Sequence, residues 1–374
     1  MSEILFSWTH PDAVAKGYKT GVSLHSHTCL SEESLDIIPR YTARVPYLGA
    51  AIRQQQQRFL ERNGKPLDFG RAFWTPPLSP RQAWDLETSQ LEKSGLRPLI
   101  SITDHDSVQS CYQLRVLGKK APVSFEWSVP FGSTFFHLGV HNLSAASGHE
   151  IAGHLATYTA DPKPKLLTEL FAGLNEDPAV LLILNHPFWD ESGIGESEHA
   201  HTLGAFLERH GRQLHALELN GLRPWAENRR VAWLARQCGM PLISGGDRHG
   251  CEPNSILNLT NASSFSEFAA EIRQDRVSNI LFMPQHKESI RFRFLQTMWD
   301  IMRDYPDHPQ ERQRWADRVF YRNDAGASIP VSHFMTGNEP SIVKQFSQII
   351  RLVESRRMQG VLKFALNDGE RALI

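Results

Sequence analysis

Ten residues of the types that bind metal ions recur along this 374-residue chain, most of them where a short apolar run ends. They are His25, His27, Glu32, Asp104, His105, Glu126, His137, His186, Asp247 and His249. Imidazole nitrogens combined with carboxylate oxygens, without thiolates, favour Zn²⁺, Mn²⁺ or Fe²⁺ over Ca²⁺ or Mg²⁺. One ion cannot hold ten ligands, so the sequence predicts two or three divalent ions. Neighbouring ions of this kind activate water for hydrolysis.

The apolar runs that precede these residues have the length of buried strands. Five are clear, at 19–24, 99–103, 123–125, 179–184 and 240–244. Short runs that end in turn signals are typical of parallel strands covered on both faces. Residues i and i+2 of a strand share a face, so His25 and His27 are expected to face one ion, as are Asp247 and His249. A buried structural histidine explains one His-x-His pair equally well, but the whole set predicts a metal site.

Helical patterns alternate with these runs. Ser79-Pro80 predicts the start of a helix that Gly95 ends, and a second helix is predicted from about 226 to 238 with Gly239 as its terminator. Each helix leads into a run that ends in candidate ligands. This alternation predicts an α/β domain, and in βα barrels the active site lies at the carboxyl ends of the strands.

Two segments interrupt the alternation. The first, about 36–77, is rich in arginine and separates the first ligand motif from the second. The second follows residue 285 and carries helical patterns near 290–302 and 342–353. We therefore predict a barrel over 15–285, with an insertion over 36–77, and a C-terminal helical extension over 286–374 that packs on the barrel.

Composition restricts the compartment and the partners. The net charge of −1 gives no general affinity for nucleic acid or acidic membranes. The first residues lack a signal peptide pattern, and no run reaches the roughly 18 apolar residues that span a bilayer. The four cysteines show no paired spacing, which favours reduced thiols. We expect a cytoplasmic protein without a membrane or nucleic acid partner, and the sequence indicates no oligomeric state.

The ligand motifs resemble those of the PHP (polymerase and histidinol phosphatase) family of metal-dependent phosphoesterases. The matching segments occur in family order between residues 18 and 250. They are SLHSHT at 23–28, ITDHDS at 102–107, FEWSV around Glu126, FHLGV around His137, LNHP around His186 and GGDRHG at 245–250. The resemblance implies a distorted barrel of seven βα units that holds a trinuclear site.

The resemblance also implies which residues bind each ion. The first ion would be held by His25, His27, Glu126 and Asp247, and the second by Glu126, His137 and His186. The third would be held by Glu32, His105 and His249, while Asp104 would orient a ligating histidine. Glu126, Asp247 and His249 would be the residues central to catalysis. Three residues depart from the family pattern. Glu32 stands where the family often has Asp or His, and Ser23 stands where it often has Asp. Arg248 replaces the small residue that is common between the Asp and His of the last motif.

Three arginines are candidate contacts for a substrate phosphate. Arg223 and Arg229 follow the apolar run that ends at 218–221 and begin a helix, a place that suits anions, although a solvated helix start explains them equally. Arg248 lies between Asp247 and His249 and is expected to point away from His249. An ion pair in the barrel wall is the alternative for Arg248.

The function implied by the resemblance is hydrolysis of a small phosphomonoester by a metal-bound hydroxide. A phosphodiesterase or 3′-5′ exonuclease is one alternative, favoured by the arginines of 36–77 and disfavoured because no polymerase-like domain or long basic groove is evident. A metal-binding interaction module without activity is another. Amidohydrolases also begin with His-x-His on a strand, but they typically bridge their ions with a carbamylated lysine rather than a glutamate. The sequence does not identify the substrate.

Overall fold

The computed structural model describes residues 2–8, 17–36, 38–39, 46–64 and 66–334. These residues divide into two compact units. Among the described residues, the first is drawn from 2–31 and 78–297, and the second from 32–77 and 298–334. Strands and helices occur in both, so the fold class is mixed α/β, as predicted.

The described strands are short. Their bounds are β1 Ser2–Phe6, β2 Thr20–Ser23, β3 Glu33–Ser34, β4 Ala72–Trp74, β5 Arg97–Ile100, β6 Val123–Phe131, β7 Thr134–Leu143, β8 Leu181–Leu184, β9 Ala216–Asn220, β10 Leu242–Gly245, β11 Ile256–Thr260, β12 Ser278–Phe282, β13 Val319–Arg322 and β14 Ser328–Pro330.

The described α-helices alternate with these strands over most of the chain. They are α1 Pro46–Asn63, α2 Pro80–Lys93, α3 Gln109–Val116, α4 Gly148–Ala160, α5 Pro164–Glu176, α6 Glu196–His210, α7 Trp225–Cys238, α8 Phe265–Ala270 and α9 Ile290–Met302. A π-helical turn follows α8, and short 3₁₀ turns link several other elements. Within the described ranges, no helix has the length and apolar content that a bilayer crossing needs.

The first unit contains two five-stranded sheets. Their strand orders are β1-β12-β11-β2-β5 and β10-β9-β8-β7-β6. All five apolar runs from the sequence overlap strands, which are β2, β5, β6, β8 and β10, although the run at 99–103 does so only at 99–100. The pairs β2–β5, β8–β9 and β9–β10 are parallel, as predicted.

The expectation that all the strands run parallel is wrong. β7 is antiparallel to both β6 and β8, and β11 is antiparallel to β2 and β12. Only Gly132 and Ser133 connect β6 to β7, and a link of two residues permits antiparallel pairing alone. Consequently His137 lies within β7 rather than after the end of a parallel strand.

The paired strands do not show a closed barrel. Two isolated parallel bridges nevertheless connect the two sheets, one between Ser26 and Arg248 and one between His105 and Glu126. Both bridges involve residues of the predicted ligand motifs or their immediate neighbours. The strand ends that carry these motifs therefore lie side by side, whichever sheet they belong to.

The core behind β6 fixes the direction in which Glu126 points. Trp127 is fully buried and packs edge-on against Tyr158 of α4 and Phe171 of α5, with ring centroids 5.8 and 6.0 Å away. Its indole N–H donates to Thr159 Oγ1 over 2.9 Å. Burying a large apolar side chain contributes about 2–3 kcal/mol. Because neighbouring residues of a strand face opposite sides, this packing turns Glu126 away from the helices.

The predicted helices form close to their expected bounds. Ser79 caps α2 in a capping box with Gln82, and Gly239 ends α7 in the left-handed conformation (φ 63°). α9 confirms the helix predicted at 290–302. The helix predicted at 342–353 lies outside the described residues.

The second unit contains the four-stranded sheet β14-β13-β4-β3, whose strand pairs are antiparallel. Phe73 of β4 stacks on Phe320 of β13 with ring centroids 5.1 Å apart, and Arg71 pairs with Asp324 over 2.8 Å. The segment that the sequence marks as an insertion thus shares a sheet with residues more than 240 positions later. No sequence pattern indicated this pairing.

Candidate metal centre

Glu126 is the residue on which the candidate ligands of the first unit converge. Its side chain is fully buried, and ring nitrogens of five histidines lie 3.0–3.5 Å from its carboxylate oxygens. Oε2 faces His25, His27 and His105, whereas Oε1 faces His137 and His186. A carboxylate whose two oxygens face different sets of imidazoles is suited to bridge two ions.

Asp247 closes the other side of this cluster. Its Oδ1 lies 3.7 Å from Nε2 of both His25 and His27, and 3.5 Å from Nδ1 of His249. Among residues of the first unit, three sets of possible ligand atoms lie within 4.8 Å of one another, namely His25 with His27 and Glu126, His25 with His186 and Asp247, and His105 with Glu126 and His137. Divalent cations could bind at these positions.

The rings of the third predicted site stack on His27. His249 lies parallel to it with centroids 4.2 Å apart, and His105 does so at 4.7 Å. Glu32, the carboxylate predicted to complete that site, belongs to the second unit, where it pairs with Arg322. Its role as a metal ligand stays a prediction.

Two buried atoms at the centre of the cluster indicate whether its donor atoms suit a cation. His25 Nε2 and Glu126 Oε2 make no hydrogen bond with the residues that the structure describes, although they lie only 3.0 Å from each other. A buried polar atom without a hydrogen bond costs about 1–3 kcal/mol. A divalent cation accepts an imidazole lone pair and a carboxylate oxygen together, so the donor set fits a metal ion.

Three candidate ligands adopt backbone conformations that non-glycine residues rarely adopt. The φ angles are 60° at His25, 26° at His186 and 53° at Asp247. Each follows a strand end, that of β2, β8 or β10. Such conformations cost on the order of 1–3 kcal/mol and concentrate at functional sites. Strand alternation was expected to bring His25 and His27 to one face, but a left-handed turn after β2 brings them together.

The second ring nitrogen of several histidines has its own partner. His25 Nδ1 lies 2.5 Å from Glu218 Oε1, His27 Nδ1 lies 3.2 Å from Ser31 Oγ, and His249 Nδ1 lies 2.9 Å from the Asp247 carbonyl oxygen. Such contacts determine which nitrogen is left to face an ion. Asp104 accepts hydrogen bonds from the Thr28 amide and hydroxyl at 2.6 and 2.8 Å, so it holds the backbone next to His27.

The charges of the cluster shift the acid–base behaviour of its members. Burial opposes ionisation of Glu126 and Asp247, but the surrounding histidines outweigh burial and hold the pKa of both carboxyls well below their usual range. Burial also lowers the pKa of His25, but Glu126, Glu218 and Asp247 outweigh it and hold the pKa of this imidazole well above 6.5. These carboxylates therefore favour the doubly protonated form of the His25 imidazole.

The three candidate phosphate arginines lie in different surroundings. Arg223 stacks on Trp189, with its Cζ 3.8 Å from the ring centroid, and its Nη2 lies 4.0 Å from Asp247 Oδ2. Arg229 is exposed on α7. Arg248 is buried, and its Nε lies 3.2 Å from Glu87 Oε1, which favours the alternative of a wall ion pair.

Sequence reasoning gave no role to several polar residues beside the cluster. Asn185 donates to Glu126 Oε1 over 2.8 Å, and Asn220 donates to Asp247 Oδ2 over 3.2 Å. Both asparagines stand next to or at strand ends, in LNHP and ELNG, which is the signal that could have identified them. A cleft of about 200 Å³ adjoins His137 and His186, and Phe135, Trp189 and Glu191 line its walls.

Comparisons with known proteins assign no family to this chain. No family model and no curated protein matches it. Among solved structures, PsfC from Pseudomonas syringae PB-5123 shares 13% identity over 76% of this chain and 98% of its own, with a TM-score of 0.44. A Bifidobacterium adolescentis protein to which metal-dependent phosphoesterase activity is attributed shares 15% sequence identity. The match covers 52% of this chain and 91% of that protein, with a TM-score of 0.32.

An amidohydrolase from Chromobacterium violaceum shares 14% identity over 46% of this chain and 83% of its own, with a TM-score of 0.31. Likenesses this distant determine neither a family nor a function. The candidate site must therefore be judged from its own geometry.

Metal binding is expected to strengthen as pH rises. The ion must displace the proton that the surrounding carboxylates hold on His25, so binding releases that proton. Below the pKa of His25 the apparent association constant should rise by about tenfold per pH unit for each proton released. Titration of metal-free protein with Mn²⁺ between pH 6 and 8, in buffers of equal ionic strength, measures this slope. An affinity independent of pH would contradict a site that contains protonated His25.

Proposed function

We propose that this protein is a metal-dependent hydrolase of phosphate esters that acts on a small phosphomonoester at two or three divalent ions. The observation that carries the proposal is the position of Glu126, with each carboxylate oxygen directed at a different group of histidines. A bridging carboxylate offsets the repulsion between neighbouring cations. A structural histidine cluster would not need a buried nitrogen and a buried oxygen, His25 Nε2 and Glu126 Oε2, left without hydrogen bonds among the described residues.

The ligands would divide as the family resemblance implies. One ion would lie among His25, His27, Glu126 and Asp247, a second among Glu126, His137 and His186, and a third with His105 and His249. Bound Zn²⁺, Mn²⁺ or Fe²⁺ would acidify water and withdraw charge from phosphoryl oxygens. The chain's own contribution is to place these donors in a buried site, where electrostatic interactions are stronger than in water.

Arg223 would hold the phosphate. Its guanidinium lies over the Trp189 ring and beside Asp247, and its Nε, 3.9 Å from Glu227 Oε1, makes no hydrogen bond with the described residues. An arginine held in one orientation can donate to phosphate oxygens with little further loss of side-chain entropy. This placement favours a phosphate ester over an uncharged amide as the substrate.

The neighbouring cleft would receive the leaving group. Phe135, Trp189 and Glu191 line this cleft beside His137 and His186, so it lies next to the candidate ligands of the second ion. The side chain of Glu191 on its wall would disfavour further phosphates, and hence nucleic acid ends, because like charges repel. This observation supports the monoesterase over the exonuclease.

We further propose that the strands bearing the ligands form the distorted seven-unit barrel. Backbone hydrogen bonds continue past the ends of the paired strands and support this arrangement. Gly246 donates to the Leu24 carbonyl, His27 to that of Arg248, and Asp106 to that of Glu126, at 2.9, 2.9 and 2.8 Å. These bonds join the ends of β2 and β10, and the segment after β5 to the interior of β6, across the gap between the sheets.

The activity is tested by phosphate release from a panel of phosphomonoesters, nucleotides and short oligonucleotides. The protein is freed of metal with a chelator and reloaded with Mn²⁺ or Zn²⁺. We expect turnover of a small monoester, and a loss of at least a hundredfold in Asp247→Asn, because metal-dependent rate enhancement needs the complete set of anionic ligands.

Release from oligonucleotide ends alone would instead favour the exonuclease. If the protein binds metal but releases phosphate from none of these compounds, the result would favour the metal-binding interaction module. Equal turnover before and after chelation would contradict metal dependence.

Arg223→Met and Arg229→Met form a matched pair. Both remove one guanidinium, Arg223 from the turn just before α7 and Arg229 from within α7, but only Arg223 lies beside Asp247. A charge-assisted hydrogen bond contributes about 1.5–3 kcal/mol, so Arg223→Met should lower kcat/KM by roughly 10- to 150-fold. Arg229→Met should stay within about twofold, because exposed charges contribute little. An equal loss of kcat/KM in both variants would contradict the role of Arg223 in binding the phosphate.

A further inference from the structure

Glu218 of β9 connects three candidate ligands although none of the predicted sites includes it as a ligand. Its carboxylate is 1% exposed. Oε1 lies 2.5 Å from His25 Nδ1, and Oε2 accepts a hydrogen bond from the His186 backbone N–H over 2.8 Å. Oε2 also accepts from Asn220 Nδ2 over 2.9 Å, and the same amide group donates to Asp247 Oδ2 over 3.2 Å.

The three residues joined in this way are the three candidate ligands with left-handed backbones. His25, His186 and Asp247 have φ angles of 60°, 26° and 53°, and together they form one of the possible metal-binding sets. Non-glycine residues keep such conformations only when their surroundings impose them. Glu218 lies where it can do so, since it touches the ring of His25, the backbone of His186 and, through Asn220, the side chain of Asp247.

The neighbouring strand leaves room for this carboxylate. A Cβ atom built on Gly245 of β10 would lie 1.6 Å from Glu218 Oε1, so a side chain at position 245 is incompatible with Glu218 in this place. Gly245 immediately precedes the Gly246-Asp247 turn. Glu218 can therefore occupy this place only because residue 245 is a glycine.

We infer that Glu218 is the positioning residue of the metal site. It accepts a hydrogen bond from His25 Nδ1–H, which leaves Nε2 to face an ion, and it fixes the turns that carry His186 and Asp247. The inference rests on the metal site of the proposed function but not on the identity of the substrate.

The test compares wild type, Glu218→Gln and Glu271→Gln. Glu271 is a matched control, because its carboxylate accepts a hydrogen bond from Thr260 and lies in none of the predicted sites. Each protein is freed of metal, and its affinity for Zn²⁺ is measured by competition with a chelating indicator. Loss of a group that orients a ligand typically weakens metal binding by about 10- to 100-fold, which we expect for Glu218→Gln. Glu271→Gln should stay within about twofold of wild type.

Two further readouts separate positioning from simple stability. The visible absorption bands of Co²⁺-loaded protein report ligand geometry and should shift in Glu218→Gln. The melting temperature of the metal-free proteins reports stability alone. A lower melting temperature with unchanged affinity and unchanged bands would overturn the inference.

If Glu218→Gln fails to fold, Glu218→Asp takes its place. This variant keeps the charge but withdraws it from His25, so the affinity should fall and the Co²⁺ bands should shift in the same direction. Wild-type affinity in Glu218→Asp would overturn the inference. These readouts need no substrate, so a wild type that binds metal and hydrolyses nothing would refute the proposed function while leaving the role of Glu218 measurable.

Discussion

The site depends on one buried carboxylate surrounded by imidazoles. Glu126 is fully buried, and five histidines lie within 3.5 Å of its oxygens. A buried anion is costly unless positive charge compensates it, and protonated histidines so close together would repel one another. Divalent cations between the carboxylate and neutral imidazoles resolve both problems. The apolar packing of Trp127 on the opposite face of β6 then acts as the support that keeps Glu126 directed at the histidines.

Three of the remaining candidate ligands lie on left-handed turns rather than within regular strands. His25, His186 and Asp247 each turn into the left-handed region just after a strand ends, and Glu218 with Asn220 contacts all three. Strain of this kind is tolerated when surrounding contacts leave the backbone no alternative. The contacts that hold the candidate ligands are therefore made by the chain itself, and ligands held in this way lose less entropy when they bind an ion.

Much of this site could be predicted from residue types alone. The apolar runs before His25, Asp104, Glu126, His186 and Asp247 form strands, and the side chains after them gather at one place, because strand length and burial are encoded locally. The direction of β7 was missed, since it depends on the Gly132-Ser133 turn rather than on the apolar pattern. The contacts of Glu218 with His25 and His186 were not predicted, because no spacing shows which buried carboxylate contacts which residue. The sheet that joins 72–74 to 319–322 has no local signal at all.

The number of metal ions bound per chain tests the central claim most directly. Wild type and Glu126→Gln are loaded with Mn²⁺ or Zn²⁺, freed of excess ion by gel filtration and analysed by inductively coupled plasma mass spectrometry. The amide of glutamine keeps the shape of the side chain but cannot bridge two cations as an anion. We predict two or three ions per chain in wild type and the loss of at least one in Glu126→Gln. Fewer than two ions in wild type, or the same number in both proteins, would contradict a site organised around Glu126.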